Sequence, residues 1–449
     1  MAEDAGQGAQ DRIGDAQAQL ERDGIQHVRF ELPDMHGSAR SKQVPVERFA
    51  ATAREGLNMY GGIVALDSAS HVIPGTLYNE EVKYKDQTLR PDLSTLAQVP
   101  WLGGTAKVIC DTEWEDGTPL RAAPRHVARR MLERAAELGF GIQSAHEYEF
   151  FVLEQGTHQP LFGGVHIFNN LRNEHLPAIR QVVDGLRAAG IPMLTANAEY
   201  APSQYELVYR HAEGMEGIDN AFTFKNGVKE IVQHAGYTAT FMGKPAAGMA
   251  GSGCHYHISL HERESGRSAF HDADNPSAMT PTLRHFVQGI IDHGAACMAL
   301  FNPTPNCYRR LTPHTFAPSN VSWGEEDRSA MVRIKQPGAP GMHVEMRASS
   351  AISNPYLCAA GTLACGLLGL AEERALVAQS EGPSEDDPTL APFPATLEAA
   401  LAAMEADSAV VDLLGEEFVT VFTTMKRAEL ARFNAHVTQW EREEYIELY

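Results

Sequence analysis

Two glutamates, Glu147 and Glu149, stand two residues apart in the run His146-Glu147-Tyr148-Glu149-Phe150-Phe151. If Gly141–Val152 is a strand, both carboxylates point to one face, because side chains on a strand alternate with period two. A sheet interior rarely tolerates two like charges so close without a cation between them. Spacing alone leaves two readings open, a solvated strand face or one wall of a cation site.

Other segments offer matching chemistry. Glu199 and Glu206 form a second carboxylate pair, and Glu345 stands two residues before Arg347. For each, an ordinary surface charge pair is the alternative. The stretch Lys244–Ser259 is glycine-rich and ends in His255 and His257, again at period two. It is not a phosphate-binding P-loop, because no Gly-Lys-Ser/Thr follows and a strand comes next. A tight glycine turn with one satisfied histidine is the plain alternative, and two histidines facing one way weaken it. Arg309, Arg310, Arg328, Arg333 and Arg347 cluster near the stiff Asn302-Pro-Thr-Pro-Asn306 segment. Surface salt bridges explain scattered arginines; a clamp for phosphate or carboxylate explains clustered ones better, since the guanidinium fork matches both groups.

Composition narrows the partners. The chain has 37 Lys+Arg against 58 Asp+Glu, a formal charge of −21. That balance argues against nucleic acid or an anionic membrane, whose binding depends on basic residues neutralising phosphates. With 449 residues, 43% of them apolar, a large folded core in two domains is expected. Six cysteines without CxxC spacing read as buried thiols of a reducing compartment. The polar, acidic start lacks a secretory pattern, and the apolar run Tyr356–Ala371 is shorter than a membrane span and reads as a buried helix. A cytoplasmic protein is expected.

The fold class expected is α+β. Residues 1–23 read as a flexible or loosely helical start, 24–115 as a small β domain and 116–449 as a large catalytic domain. Alternation at Val28, Phe30 and Leu32 marks a strand, followed by a turn at Asp34–Gly37. Pro124 suits the first turn of a helix that Gly139 stops. Gln379–Ala395, with four prolines and four acidic residues, reads as an exposed loop, and Leu397, Leu401 and Met404 as one face of a closing helix.

Taken together and in chain order, these segments resemble the glutamine synthetase superfamily over nearly the whole length. Lys244–Ser259 fits that family's ATP-site signature. Asn302–Leu311, Asp327–Ile334 and Val344–Arg347 with Asn354-Pro-Tyr-Leu357 are equally characteristic, and Phe30 through Lys42 resembles its β-grasp motif. The resemblance implies a β-grasp domain ahead of a catalytic domain built on an antiparallel sheet. It also implies a ligase that phosphorylates a glutamate γ-carboxylate with ATP, after which an amine displaces phosphate.

By motif position, Glu149, Glu199 and Glu206 would hold one Mg²⁺ or Mn²⁺, and Glu147, His255 and Glu345 a second, with two or three ions per site. Arg328 and Arg333 would stabilise the phosphates. Arg310 and Arg347, with Glu149, Gly251 and His255, would bind the amino-acid substrate, and His257 and Ser259 would line the nucleotide. Members are rings, usually dodecamers, with sites between subunits; Asp67 would match a neighbour's ammonium-attracting aspartate.

Departures from the pattern bear on substrate. The flap residue that is a glutamate before Ala-Pro in glutamine synthetases is Phe316, which cannot pair with ammonium or act as its base. His314 is the nearest alternative base. Ala250 replaces an asparagine that helps hold glutamate, Pro340 a nucleotide-contacting lysine and Ala198 a histidine. The implied activity is a γ-glutamyl–amine ligase using an alkyl or aromatic monoamine. The alternatives are an authentic glutamine synthetase, a kinase-like relative with another acceptor, and a catalytically silent structural or regulatory relative.

Overall fold

The computed structural model describes residues 2–164, 167–173, 176–275 and 278–449, with side chains from residue 12 onward. Near the N-terminus, strands β1 (His27–Pro33), β2 (Ala39–Pro45), β3 (Leu57–Tyr60), β4 (Asp86–Pro91), β5 (Ala97–Gln98) and β6 (Thr105–Glu113) form one sheet. Its order is β2-β1-β6-β4-β3, with β5 beside β6. β1 and β6 run parallel and the other neighbours antiparallel, a β-grasp-like arrangement. Val28, Phe30 and Leu32 are buried. The turn after β1 is closed by Asp34, whose Oδ1 accepts from the N–H groups of His36 and Ser38, each at 2.9 Å.

Residues 1–23 include a helix, Ala2–Arg22. Its C-terminal half is docked: Leu20 is buried, and Ile13 and Ala16 pack against the core. Positions 13, 16 and 20 fall on one helical stripe, which explains why a polar segment still finds a place.

The second sheet comprises β7 (Phe140–Glu154), β8 (Met193–Ala198), β9 (Gln204–Tyr209), β10 (Ala212–Glu213), β11 (Tyr237–Thr240), β12 (Cys254–Glu262), β13 (Trp323–Glu325), β14 (Val332–Lys335) and β15 (His343–Met346). The order is β13-β14-β15-β12-β7-β9-β8, with β10 and β11 also pairing with β7. All these pairings are antiparallel except β13 with β14. The helix Pro124–Glu137 feeds into β7 through Gly139 at φ 89°.

Buried polar contacts join the two sheets. Arg125, at the start of that helix, donates to Asp92, Asp111 and Asp219, each at 2.7 Å. Tyr356 donates to the same Asp219 at 2.6 Å. Two distant sequence motifs meet directly. Asn354 caps the helix Pro355–Glu372 by accepting from Tyr356 N–H at 2.9 Å, while its Nδ2 donates to Asp34 O at 2.9 Å. A side chain at Gly37 would come within 3.0 Å of Pro355 Cδ, so glycine is needed where the hairpin turn touches the helix.

The helix Pro355–Glu372 is long and apolar enough to cross a membrane, yet 78% of it is buried inside the protein, as a core helix should be. Leu397, Leu401 and Met404 are buried along the helix Leu397–Ala406, each contributing about 1.5–3 kcal/mol by the usual transfer scale. Residues 379–395 are mostly exposed but anchored at Ser384 and Phe393. All six cysteines are free and buried.

Candidate active site on one face of the second sheet

Register assembles the site. β7 is the long central strand, and its Glu147 lies opposite His255 of β12 while its Glu149 lies opposite Glu206 of β9. His257 lies opposite Glu345 of β15, and Glu345 opposite Arg333 of β14. Period two then puts Glu147, Glu149, Glu206, His255, His257, Glu345 and Arg333 on one face across five strands. Glu199 follows β8, held by Asn197 Nδ2 at 3.1 Å and by the Tyr200 N–H at 3.1 Å.

Two groups of donors come within ion-binding reach. The atoms of Glu147, Glu206 and His255 all lie within 4.8 Å of one another, as do those of Glu147, His257 and Glu345. Their electrostatics differ sharply. Burial acts to raise the Glu147 carboxyl, but hydrogen bonds from His255 and His257 override it and hold it well below the carboxylate range. His255 Nδ1 is 2.9 Å from Glu147. Burial likewise opposes ionisation of Glu345, and the charges of His255, Arg347 and His257 bring it down to about 2.

On the other side of Glu147, Glu206 is pushed up to about 10 by burial and by Glu147, Glu149 and Glu199. Glu199 is raised to about 7 by burial and then Glu149. Carboxylates crowded together, with no Lys or Arg ion pair among the described residues, fit a hard divalent ion such as Mg²⁺ or Mn²⁺. Glu149 itself accepts from Gly253 N–H at 2.8 Å and from Gln204 Nε2 at 3.3 Å.

The arginines fall into three environments. Arg333 and Arg347 both pair with Glu345, and Arg333 also with Glu326. Arg347 reaches across to Arg328 O at 3.0 Å and Phe316 O at 3.2 Å, which ties it to two loops. Arg310 is buried, donating only to the carbonyls of Ala348 and Arg347 at 3.3 Å, and it forms no ion pair among the described residues. A buried guanidinium without a carboxylate is costly unless an anion arrives to meet it. Side chains at Gly251 and Gly253 would lie 2.7 and 2.6 Å from Arg310 atoms, so these glycines admit the guanidinium. The Arg328 side chain is exposed.

Beside the cluster, His257, Ser259, Gln143, Pro340 and His343 line a hollow of about 400 Å³. His343 Nε2 is 3.0 Å from His257 Nδ1. The flap residue Phe316 is 61% exposed and sits at φ 58°, a conformation that bulky residues avoid. Its ring lies 6.1 Å from that of Tyr200, the neighbour of Glu199. The flap is pinned from the 379–395 loop: His314 N–H donates to Glu385, and the exposed His314 ring faces Glu385 and Asp386 at 3.8 Å.

Asp67 is not brought to this cluster within the chain. It is fully buried, paired with Arg432, and accepts from the N–H groups of Ala69 and His71 at 2.9 and 2.8 Å. Sequence reading missed Gln204, Tyr200 and His343. Gln204 and His343 each lie two residues before a glutamate already picked out, so the period-two rule held the signal for both.

Comparison with known proteins shows the family of the chain. The glutamine synthetase catalytic domain profile matches residues 121–445. The chain is 33% identical to glutamine synthetase of Thermotoga maritima, covering 96% of this chain and 98% of that one. It is 31% identical to the glutamate–isopropylamine ligase of a Pseudomonas species, with 96% of each covered. Solved structures of GmaS, without ligand and with ADP, superpose with a TM-score of 0.85 at 27% identity, over 96% of this chain and 99% of theirs.

Proposed function

The chain belongs to the glutamine synthetase family, and on that premise we propose that it joins glutamate to an organic monoamine through a γ-glutamyl phosphate. That it is a carbon–nitrogen ligase follows from the family and the relatives named for ligation. Enzymes of this family use ATP and divalent metal ions. In this proposal Glu149, Glu199 and Glu206 hold one Mg²⁺ or Mn²⁺, and Glu147, His255 and Glu345 hold another, with two or three ions per site. Such ions, when bound, neutralise the phosphate oxygens during in-line transfer.

The chain's own groups do the rest. Arg310 meets the glutamate carboxylate with a guanidinium that forms no ion pair among the described residues, beside Gly251, Glu149 and His255. Arg347, oriented by Glu345, holds the activated end, and Arg333 with the exposed Arg328 covers the phosphates. His257 and Ser259 line the nucleotide hollow. Asp67 is left out of amine capture, because Arg432 already takes its charge. His314 is also left out, its ring being turned to Glu385 and Asp386. Assembly into a ring, with two stacked hexamers and sites between subunits, belongs to the same proposal.

The observation that carries the amine reading is the Phe316–Tyr200 pair. Two aromatic rings beside Glu199 form an apolar wall where a carboxylate would be needed to bind ammonium and take its proton. An apolar wall gains from burying an alkyl or aryl group, and an aromatic amine is neutral at pH 7 and needs no base. The similarity to a relative named for isopropylamine supports the same reading.

The test is phosphate release from ATP with Mg²⁺ and glutamate across ammonium, methylamine, isopropylamine, ethanolamine, putrescine and aniline, with mass detection of products. A γ-glutamyl amide from one monoamine at a kcat/KM well above that for ammonium is expected. In Phe316→Glu the ratio should move about tenfold or more toward ammonium, the effect of one charged hydrogen bond. Ammonium as the best acceptor in the unsubstituted protein would overturn the reading and make Phe316 a tolerated flap variant.

A further inference from the structure

The strands that carry the acidic site carry a second, chemically opposite cluster on their rear face. We propose that His146, Cys254 and Cys358 form a buried zinc site that ties β7 and β12 to the helix Pro355–Glu372. The proposal is independent of which amine the enzyme uses.

His146 lies opposite Tyr256, and Cys254 opposite Tyr148, in the β7–β12 ladder. Positions 146 and 254 therefore share the face turned away from Glu147 and His255. Cys358 rises from the first turn of the helix packed beneath. The imidazole nitrogen and the two sulfurs all lie within 4.8 Å of one another. That is within reach of one tetrahedral ion with bonds of about 2.0 Å to nitrogen and 2.3 Å to sulfur.

The decisive feature is His146. The residue is 0% exposed, its ring nitrogens make no hydrogen bond of ordinary geometry among the described residues, and the Cys358 thiol is the group they interact with. Buried polar atoms are normally paired, so an imidazole whose polar company is a thiol points to a ligand shared with that sulfur. Aromatic rings wall it in: Tyr256 lies 4.6 Å and Tyr148 5.7 Å from its centroid. Ser349 Oγ stands 3.1 Å from Cys358 Sγ, a hydrogen-bond partner able to orient that sulfur.

The donor set decides which ion. Two sulfurs and an imidazole are soft ligands that favour zinc strongly over Mg²⁺, whereas the carboxylate-rich front face also accommodates Mg²⁺. The rear site is therefore the one that Mg²⁺ does not fill. Binding replaces both thiol protons, which leave to solvent, and a 2+ ion with two thiolates is a neutral unit suited to a dry interior. Because all three ligands are fully buried, the ion enters as the chain folds and is slow to leave.

The full-length protein, refolded with Zn²⁺ and washed with EDTA, should retain about one zinc per chain by elemental analysis, since a closed structural site outlasts an open one. Refolded with Co²⁺ instead, it should show a thiolate-to-cobalt charge-transfer band with intense tetrahedral d–d absorption. The front face has no thiol, so that band reports the rear site alone. Cys358→Ala should lose the band and the retained zinc while still binding Mg²⁺ at the front. Absence of the charge-transfer band in the unsubstituted protein overturns the proposal, as does a Cys254–Cys358 disulfide in the protein as isolated. If Cys358→Ala does not fold, the unsubstituted protein's spectrum decides.

Discussion

The two faces of β7 and β12 are made from the same two stretches of sequence and have opposite fates. On the front, Glu147, Glu149 and His257 are partly open around the buried His255, and like charges crowd together. On the rear, Tyr148, Phe150, Cys254 and Tyr256 are buried in full, with Tyr148 stacked on Phe224 at 5.4 Å and Phe150 against Phe241 at 5.4 Å. The front is a place where folding tolerates electrostatic cost for the sake of binding, and the rear supplies the packing that makes the cost bearable. Substitutions two residues apart should therefore damage activity, and substitutions one residue apart should switch the damage to stability.

The sharpest break is at Glu147. Glu147→Gln keeps the shape but removes a charge that two histidines and the cation cluster share. Phosphate release should fall by about a thousandfold or more, the several kcal/mol that such a site supplies. The thermal midpoint in chelator should move by only a few degrees. A midpoint that collapses would mean that the front face also holds the fold.

One residue along, Tyr148→Ala should do the reverse. Removing a fully buried ring stacked on Phe224 should cost about 3–5 kcal/mol of stability, read by denaturant titration, with kcat per folded chain changed far less. Tyr148→Phe sharpens the point. It deletes a buried hydroxyl whose partner is at most the weakly bonding Cys254 thiol, so stability should change by less than about 1 kcal/mol.

The front face also has a pH signature. Glu199 is raised from the ordinary 4.5 to about 7 in the folded chain, so between those values the folded state binds more protons than the unfolded one. Stability of the cation-free protein should then fall as pH rises through that window, by on the order of 3 kcal/mol. Glu206, raised to about 10, extends the decline to higher pH. A divalent cation replaces those protons, so the gain in thermal midpoint on adding Mg²⁺ should grow from pH 5 to pH 9. A gain that is flat or shrinks with pH would show that the ion binds elsewhere.

This division also explains what was legible in the sequence. Period two revealed Glu147, Glu149, His255 and His257, because a strand with one polar face announces itself in alternation. Applied one step further, it reaches Gln204 from Glu206 and His343 from Glu345. What it does not reach are contacts made by loops and distant helices. Arg432 meets Asp67 across 365 residues of chain, and no local pattern marks that pairing. The docking of the N-terminal helix is similar, since three apolar positions in a polar segment are too few to stand out. The rear cluster is different again: three uncharged donors from β7, β12 and a helix look like ordinary core residues until the fold brings them together.

The smallest effect tests how far the front face extends. β12 alternates between partly open and buried positions from His257 to Leu260, so Ser259 falls in line with His257 at the rim of the hollow. If that line continues as a nucleotide surface, Ser259→Ala removes one neutral hydrogen bond. KM for ATP should rise about threefold to tenfold, matching about 0.5–1.5 kcal/mol, with KM for glutamate unchanged. Stability should stay within about 0.5 kcal/mol, as for other substitutions outside the core. An unchanged KM for ATP would end the functional stripe at His257 and leave Ser259 as a polar residue on an open strand. A rise in both KM values would instead couple the nucleotide end to Arg310, through a movement of β12 as a whole.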